Sequence, residues 1–307
     1  MSTMVAWAYG VGAEVCARSD DSAGGYFDLA SLTKPLFTAQ AVLTHLALDE
    51  PVALDWLPPA PGCVTVWSLL THAARLPAEL PAAGGRSDVH AWLAARVAEA
   101  ADRPDWVTYS DPSYWLLGEL VAARTGRPLH ALFAATPAAE RGGFRFGAAP
   151  AEPAVPAGPV DGGRQLPHDP AARRLGPSGH AGAFGTLDGV IAAVASWLDP
   201  RWLPAPLAEP ALTCLTHATP GGHRSLAWTL AGDPFHVVAH DWPPTTLCHT
   251  GFTGVSVALD PVSGWWAVHL SNLVPIDRDA TPALVARRHF YARAASGLRE
   301  HDSRRHR

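Results

Sequence analysis

The sequence predicts an α+β fold, an antiparallel sheet flanked by helices with a mainly helical lobe inserted into it. Two observations predict it. Between Ser31 and Leu198, apolar residues recur at helical spacing in stretch after stretch. From Ser225 the texture changes to short β-branched and aromatic runs split by turn residues, and one more helical stretch closes the chain.

The opening MSTMVAWAYGVGAEVCARSDD reads as an early strand or two. It lacks a basic n-region, and Glu14 interrupts its short apolar stretch, so it is not read as a signal peptide. Residues 31 to about 48 form a helix, with Leu36, Phe37, Ala41, Val42, His45 and Leu46 on the spacing. After the connector EPVALDWLPPAPG, residues 64–73 form a short helix with Thr65 as its cap. Residues 89–101 are a second helix, and 114–125 a third, stopped by Gly126 and Pro128. Residues 137–177 are rich in Pro, Gly and Ala with little periodicity. A segment of that length is expected to wrap the surface or rim a cleft. Residues 187–198 are again helical. SLAWTLAG, FHVVAHDW, VSVALDP and WWAVHLSNL then read as an antiparallel meander, divided by Gly232-Asp233-Pro234, Pro243-Pro244, Asp260-Pro261 and Ser263-Gly264. A helix over residues 282–298 follows, and the charged end, REHDSRRHR, is expected to be disordered. The organisation expected is one domain over 1–307 made of two lobes. The helical lobe covers about 31–200, the sheet lobe about 1–30 plus 212–298, and 299–307 form a tail.

Composition narrows the function classes. The 307 residues carry a net charge of −5, which argues against a nucleic-acid or membrane-surface partner. No apolar run approaches the roughly 18 residues of a membrane span. The four cysteines are scattered without a C-x-x-C pair and read as reduced, mostly buried thiols. The 15 histidines include no H-E-x-x-H or H-x-H, so no metal is expected, nor any organic cofactor. These features and the missing leader suggest a cytoplasmic monomer or weak homo-oligomer.

The chemistry starts at FDLASLTKPLF, whose Lys34 is the only lysine among 23 basic residues. Arg holds its proton at any working pH, so a position whose amine must exchange one resists replacement by Arg. Ser31 and Lys34 are three apart and share one helix face. Pro35 puts them at the helix start, because proline is tolerated mainly in a first turn. There the free N–H groups can hold an oxyanion, and the helix dipole is expected to push the Lys34 pKa down. A serine beside a neutral amine is an activated nucleophile.

Two further stretches supply partners. In TYSDPSYWLLGELV, Tyr109 stands at a loop-to-helix junction where its hydroxyl can shuttle a proton, and Asp111 either assists from the rim or caps the helix before Pro112. In CHTGFTGVSVALDP, Gly251 allows close backbone approach, the Phe252 N–H can serve as an oxyanion donor, and His249 and Thr250 lie beside them. A Gly-rich loop, GPSGHAGAFGT, carries His180 and is expected to line the cleft opposite Ser31. His168-Asp169 is read as structural.

Ser31-x-x-Lys34, then Tyr109-Ser110-Asp111, then His249-Thr250-Gly251 follow the S-x-x-K, S-D-N, K-T-G order. With FDLASLTKPL, VTVWSLLTHAARLP, YSDPSYWLLGELVAARTGRPL and HDPAARRLGPSGHAGAFGTLDGV, the chain resembles the serine β-lactamase/penicillin-binding superfamily, in the class C β-lactamase-related branch. The resemblance covers most of residues 27–275. It implies a β-lactamase/transpeptidase-like fold and a serine hydrolase acting on a small-molecule ester or peptide-like substrate through an acyl-serine. Ser31, Lys34 and Tyr109 would be catalytic. Asp111, His249, Thr250, Gly251, Phe252 and His180 would bind substrate or the oxyanion. Class C enzymes usually have Tyr-x-Asn and Lys-Thr-Gly at these places. Asp111 and His249 therefore point away from β-lactam hydrolysis and toward esterase- or peptidase-like relatives. The segment before Ser31 is short for the family, so one or two strands are expected to be abbreviated. The alternatives are an acyltransferase of small-molecule metabolism and a non-catalytic penicillin-binding-like protein.

Overall fold

The computed structural model describes residues 4–19, 25–140, 142–152, 156–199, 205–238, 240–273 and 280–305. Val5–Val11 (β1) alternates buried and half-buried residues, the signature of a strand packed on both faces. It pairs with Glu14–Arg18 (β2), so two N-terminal strands are formed. The first helical stretch begins after Phe27–Asp28 (β3) with a 3-10 turn, Ala30–Leu32. It passes through a π turn, Lys34–Thr38, and becomes α-helical at Ala39–His45 (α1). The apolar spacing is satisfied, but the first turns are tighter and then wider than α, as often happens where function bends a helix.

Val66–Leu70 (α2) has Thr65 as its N-cap. Thr65 and Ser68 cap each other's backbone N–H at 3.2 and 2.9 Å. Because this box anchors a one-turn helix that buries Val66, Leu69 and Leu70, Thr65→Ala is expected to cost about 1 kcal/mol. Urea unfolding at matched pH checks it; an unchanged midpoint with unchanged slope overturns it.

Arg86–Ala98 (α3), Asp111–Thr125 (α4) and Leu129–Ala134 (α5) complete the helical lobe. The cap of α4 is Ser110, whose hydroxyl accepts from the Ser113 N–H at 3.2 Å, and not Asp111. Asp111 is thereby left free to face a different partner.

The stretch 137–177 is not structureless. Phe144–Phe146 (β4), Ala149–Pro150 (β5), Val160–Asp161 (β6) and Arg164–Gln165 (β7) precede Pro170–Leu175 (α6). With Ala183–Gly185 (β8) they build two three-stranded sheets, β3-β8-β4 and β5-β7-β6. Leu187–Ser196 (α7) and Ala205–Leu212 (α8) follow.

The expected meander is half correct. Leu247–Thr250 (β9), Ser256–Leu259 (β10) and Trp265–Ser271 (β11) are strands. SLAWTLAG contributes only the isolated bridges Arg224↔Thr229 and Thr229↔Cys248. The described part of FHVVAHDW is turn, and its Ala239 lies outside the described residues. The last helix, Ala280–Arg305 (α9), runs on through the tail expected to be disordered as far as Arg305. Residues 306–307 lie outside the described residues.

The main sheet has the order β2-β1-β11-β10-β9, antiparallel throughout. On one face Trp265, Ala258 and Cys248 pack with Phe290, Tyr291 and Leu298 of α9. On the other face Val257, Leu259, Trp266 and Val268 join a core that continues through α7 and α1 to α4. Because α7 packs on β1, β10 and β11, the sheet and the helical lobe share one hydrophobic core, with the end of β9 beside the 3-10 turn of Ser31. The four cysteines are free, and Cys248 alone among them is fully buried.

Candidate active site

The turn carrying Ser31 is strained and tied down. Ala30 sits at φ +44°, a region that costs a non-glycine residue energy and persists only where the surroundings enforce it. Asp28 does the enforcing. Its Oδ1 accepts the Ala30 N–H at 2.9 Å, its Oδ2 accepts the His168 N–H at 2.6 Å, and its carbonyl accepts the Thr253 hydroxyl at 2.6 Å. Burial lifts the Asp28 carboxyl to about 6 in spite of these two N–H donors. The segment around His168 and the β9–β10 turn are thus pinned to the Ser31 turn through one residue, the first by the Asp28 carboxylate and the second by its backbone carbonyl.

Lys34 is fully buried, with two hydrogen-bond acceptors and one ion-pair partner. Nζ lies 2.9 Å from Ser31 Oγ, 3.0 Å from the His180 carbonyl and 2.7 Å from Asp111 Oδ1. Burial by itself pushes the ammonium down, but the Asp111 carboxylate and Tyr109 outweigh it and hold Lys34 above its ordinary value. This corrects the expectation of a depressed lysine. The dipole of one short turn is a weaker influence than a carboxylate in contact.

The loop bearing Tyr109 and Asp111 is moulded by the stretch after α2. His72, itself at φ +60°, accepts the Thr108 N–H on its carbonyl and the Ser110 N–H on Nδ1, both at 3.0 Å. The Ser110 hydroxyl donates to the Pro77 carbonyl at 2.7 Å and the Asp111 N–H to Ala78 at 2.9 Å. Burial, with the charges of Arg224 and Lys34, keeps His72 well below the usual histidine range, so it acts as a neutral acceptor. The Tyr109 ring lies 5.0 Å from Lys34 Nζ and 5.5 Å from the Arg224 guanidinium.

The loop of His180 seats on α4 because Gly179 has no side chain. A Cβ there would lie 1.9 Å from the Tyr114 carbonyl. Thr38 Oγ1 donates to the Gly179 carbonyl at 2.6 Å, which places the next carbonyl on Lys34. The His180 ring pairs with Ser178 at 2.8 Å and with Asp169 at 3.0 Å, and its charge and hydrogen bond hold Asp169 far below the usual carboxylate range against the effect of burial. Asp169, read as structural from the sequence, therefore belongs to the site wall.

On β9, His249 is buried. Its Nδ1 donates to the Thr250 carbonyl at 2.9 Å, so Nε2 carries the lone pair, and that atom is buried without a hydrogen-bond partner. Burial, Lys34 and Arg224 keep the imidazole neutral, well below its ordinary range. Gly251 lines the pocket and also permits a close approach to the turn that carries Ser31. A Cβ there would stand 2.7 Å from the Leu29 carbonyl and 3.4 Å from Ala30 Cβ. The Phe252 N–H donates to no described residue, and its ring, 61% exposed, stacks on His168 at 5.3 Å.

All nine sequence-predicted residues meet here. Eight of them, Lys34 excepted, line one pocket of about 940 Å³, and Lys34 lies directly behind Ser31. Phe235, Leu80, Val237 and Leu284 give it an apolar rim. Asp111, Asp169 and His180 bring ligand atoms within 4.8 Å of one another, a spacing a metal could use. In this structure Asp111 pairs with the Lys34 ammonium and Asp169 with the His180 ring, so a cation at this place would have to displace both pairings. Sequence reasoning missed Asp28, His72 and Arg224. Asp28 lies three residues before Ser31 and His72 lies in the quoted THAARLP, but nothing in their spacing signals a role. Arg224 directly precedes the stretch SLAWTLAG, which the sequence reads as strand.

The family model described as Beta-lactamase matches residues 3–291. A beta-lactamase structure from Mycobacterium bovis is 22% identical at TM-score 0.58, covering 87% of this chain and 86% of that one. EstCE1, a hydrolase with promiscuous acyltransferase activity, is 18% identical at TM-score 0.61, with 96% and 93% covered. A D-stereospecific amidohydrolase from Streptomyces sp. is 18% identical at TM-score 0.61, with 87% and 88% covered. At these identities the likeness is one of fold. No curated protein matches the chain. Among the described residues, no helix is long and apolar enough to cross a membrane.

Proposed function

The chain belongs to the beta-lactamase family, and from that premise we propose that it is a serine hydrolase that cleaves an ester or amide through an acyl-Ser31 intermediate. One observation carries the reading: a buried Lys34 joins Ser31 Oγ, hydrogen-bonded at 2.9 Å, to the Asp111 carboxylate, ion-paired at 2.7 Å.

Lys34 rests as an ammonium, so it accepts the Ser31 proton only as it gives one up. Asp111 takes that proton. The Ser31 hydroxyl proton passes to Nζ, an Nζ proton passes to Asp111 Oδ1, and Oγ bonds to the substrate carbonyl carbon. The carbonyl electron pair moves to oxygen, which the Ser31 and Phe252 N–H groups hold. On collapse the leaving group takes a proton from Tyr109, which Lys34 replenishes from Asp111. Water then cleaves the acyl-serine by the same route reversed. His249, with its free Nε2 acceptor, and Thr250 orient the substrate from β9. An arginine at 34 cannot serve, because it does not release a proton. A lone lysine in an arginine-writing chain fits this role.

Treatment with a fluorophosphonate followed by intact and peptide mass spectrometry tests the reading. A single adduct on Ser31, absent in a folded Ser31→Ala variant, is expected. Folded wild-type protein that takes no adduct overturns the hydrolase reading and favours a binding protein. The apolar rim of Phe235, Val237 and Leu284 favours a second use of the same intermediate, acyl transfer to an alcohol or amine that displaces water. Excess acceptor alcohol giving transfer product in competition with hydrolysis identifies it. Esters and D-amino-acid amides are the substrate classes to compare first.

A further inference from the structure

Arg287 is a buried cation whose donors go to backbone. It projects from α9 and is 6% exposed. Its Nη2 donates to the Gly251 carbonyl at 2.6 Å and to the Val255 carbonyl at 2.9 Å, and its Nε to the Gly254 carbonyl at 3.3 Å. Among the described residues its hydrogen-bond partners are these three carbonyls, all in the β9–β10 turn, and no carboxylate pairs with it. Burial pulls the guanidinium below its ordinary value.

A desolvated guanidinium is a costly way to close a short turn. This turn has other closures. The Gly251 N–H donates to the Val255 carbonyl at 2.8 Å and the Gly254 N–H to the Gly251 carbonyl at 3.2 Å. The Thr253 hydroxyl ties the turn to the Asp28 carbonyl. What Arg287 adds is direction. In a planar trans peptide the carbonyl and the next residue's N–H point opposite ways. Drawing the Gly251 carbonyl onto the guanidinium therefore turns the Phe252 N–H away from it. That N–H donates to no described residue, Gly251 and Phe252 both line the pocket, and Gly251 abuts Ala30 of the Ser31 turn. A donor fixed in advance costs no reorganisation when charge develops on the substrate oxygen, and losing one such donor costs about 10²–10³-fold in kcat.

We propose that Arg287 is a positioning residue for the reaction: by holding the Gly251 carbonyl it aims the Phe252 N–H at the oxyanion. This rests on the hydrolase reading above. In this role Arg287 acts through the peptide between Gly251 and Phe252.

The test separates an aimed donor from a merely stable turn. Arg287→Met keeps an unbranched side chain and loses every donor, whereas Arg287→Lys keeps the charge but not the planar fork. Hydrolysis of p-nitrophenyl acetate gives kcat and KM. Phenylboronic acid gives a second readout without turnover, because its tetrahedral adduct on Ser31 places an oxygen where the oxyanion would stand. Arg287→Met is expected to lose about 10–100-fold in kcat and a similar factor in boronate affinity, with KM changed by less than about threefold. Arg287→Lys should fall between it and the wild type. A turn that has only loosened would weaken substrate binding too, so a rise in KM as large as the fall in kcat overturns the proposal. A folded Arg287→Met with wild-type kcat and boronate affinity overturns it as well. If Arg287→Met does not fold, the same comparison on Arg287→Lys decides. If neither variant folds, Arg287 is a folding residue and the proposal is overturned. Fluorophosphonate labelling of the wild-type protein runs alongside. Labelling at Ser31 with kcat unmoved in the variants sinks this inference only, whereas unlabelled wild-type protein sinks the hydrolase reading and this inference with it.

Discussion

Lys34→Arg is expected to lower kcat/KM for ester turnover by about 10²–10⁴-fold while leaving the charge at that position intact. The position is fully buried and its cation is shared among Ser31, His180 and Asp111. A guanidinium can keep the ion pair with Asp111, so the static electrostatics survive in kind. The relay does not, because nothing bound to arginine accepts the Ser31 proton at a working pH. The loss should therefore fall on kcat and on the rate of fluorophosphonate labelling alike, since both need an activated Oγ. Thermal unfolding measured on the same samples separates a variant that cannot fold around the larger group from one that folds and cannot react. A folded Lys34→Arg that labels and turns over at the wild-type rate overturns the relay and leaves Tyr109 as the sole proton acceptor.

Asp111→Ala removes the carboxylate that holds Lys34 protonated, and its signature is a change in how stability depends on pH. In the wild-type protein the folded pKa of Lys34 lies above its ordinary 10.5. The pair's contribution is then fully present below that ordinary value and lost as pH rises through the folded pKa. Without Asp111, burial dominates and the folded pKa drops below the unfolded one. Between the two values the unfolded chain binds more protons, so stability now rises with pH. Stranding the buried cation is expected to cost about 3–5 kcal/mol near pH 7, toward the lower end because Asp111 is partly exposed. Much of that loss should be recovered by about pH 10, where Lys34 folds uncharged at little cost. Denaturant unfolding of both proteins across this range reads the effect. Parallel pH profiles for wild type and variant would show that Asp111 does not set the lysine's charge.

Much of the architecture and of the site is legible in the sequence, for identifiable reasons. Helices with a periodic apolar face and a chemical stop, such as α4 before Gly126, follow from spacing that any three-dimensional context must satisfy. The Thr65 cap is equally local. The runs around Trp228 and Val237 failed as strands because strand composition marks a buried extended segment and does not say whether a ladder partner lies alongside. Ser110 displaced Asp111 as the cap of α4 because either residue suits that position, and the choice was settled by Lys34 arriving on the other side.

By itself, then, the sequence pointed to the family, the α+β plan and the nine residues that meet at the pocket, because short motifs in a fixed order carry the resemblance and apolar spacing carries the helices. The tertiary structure alone decided the protonation of Lys34, the neutrality of His249, the clamp at Asp28 and the hold of Arg287 on the β9–β10 turn. Each of these depends on which remote segments exclude water and bring charge to a side chain. A buried ammonium, a strained turn or a buried guanidinium is a property of neighbours that only the completed fold assembles.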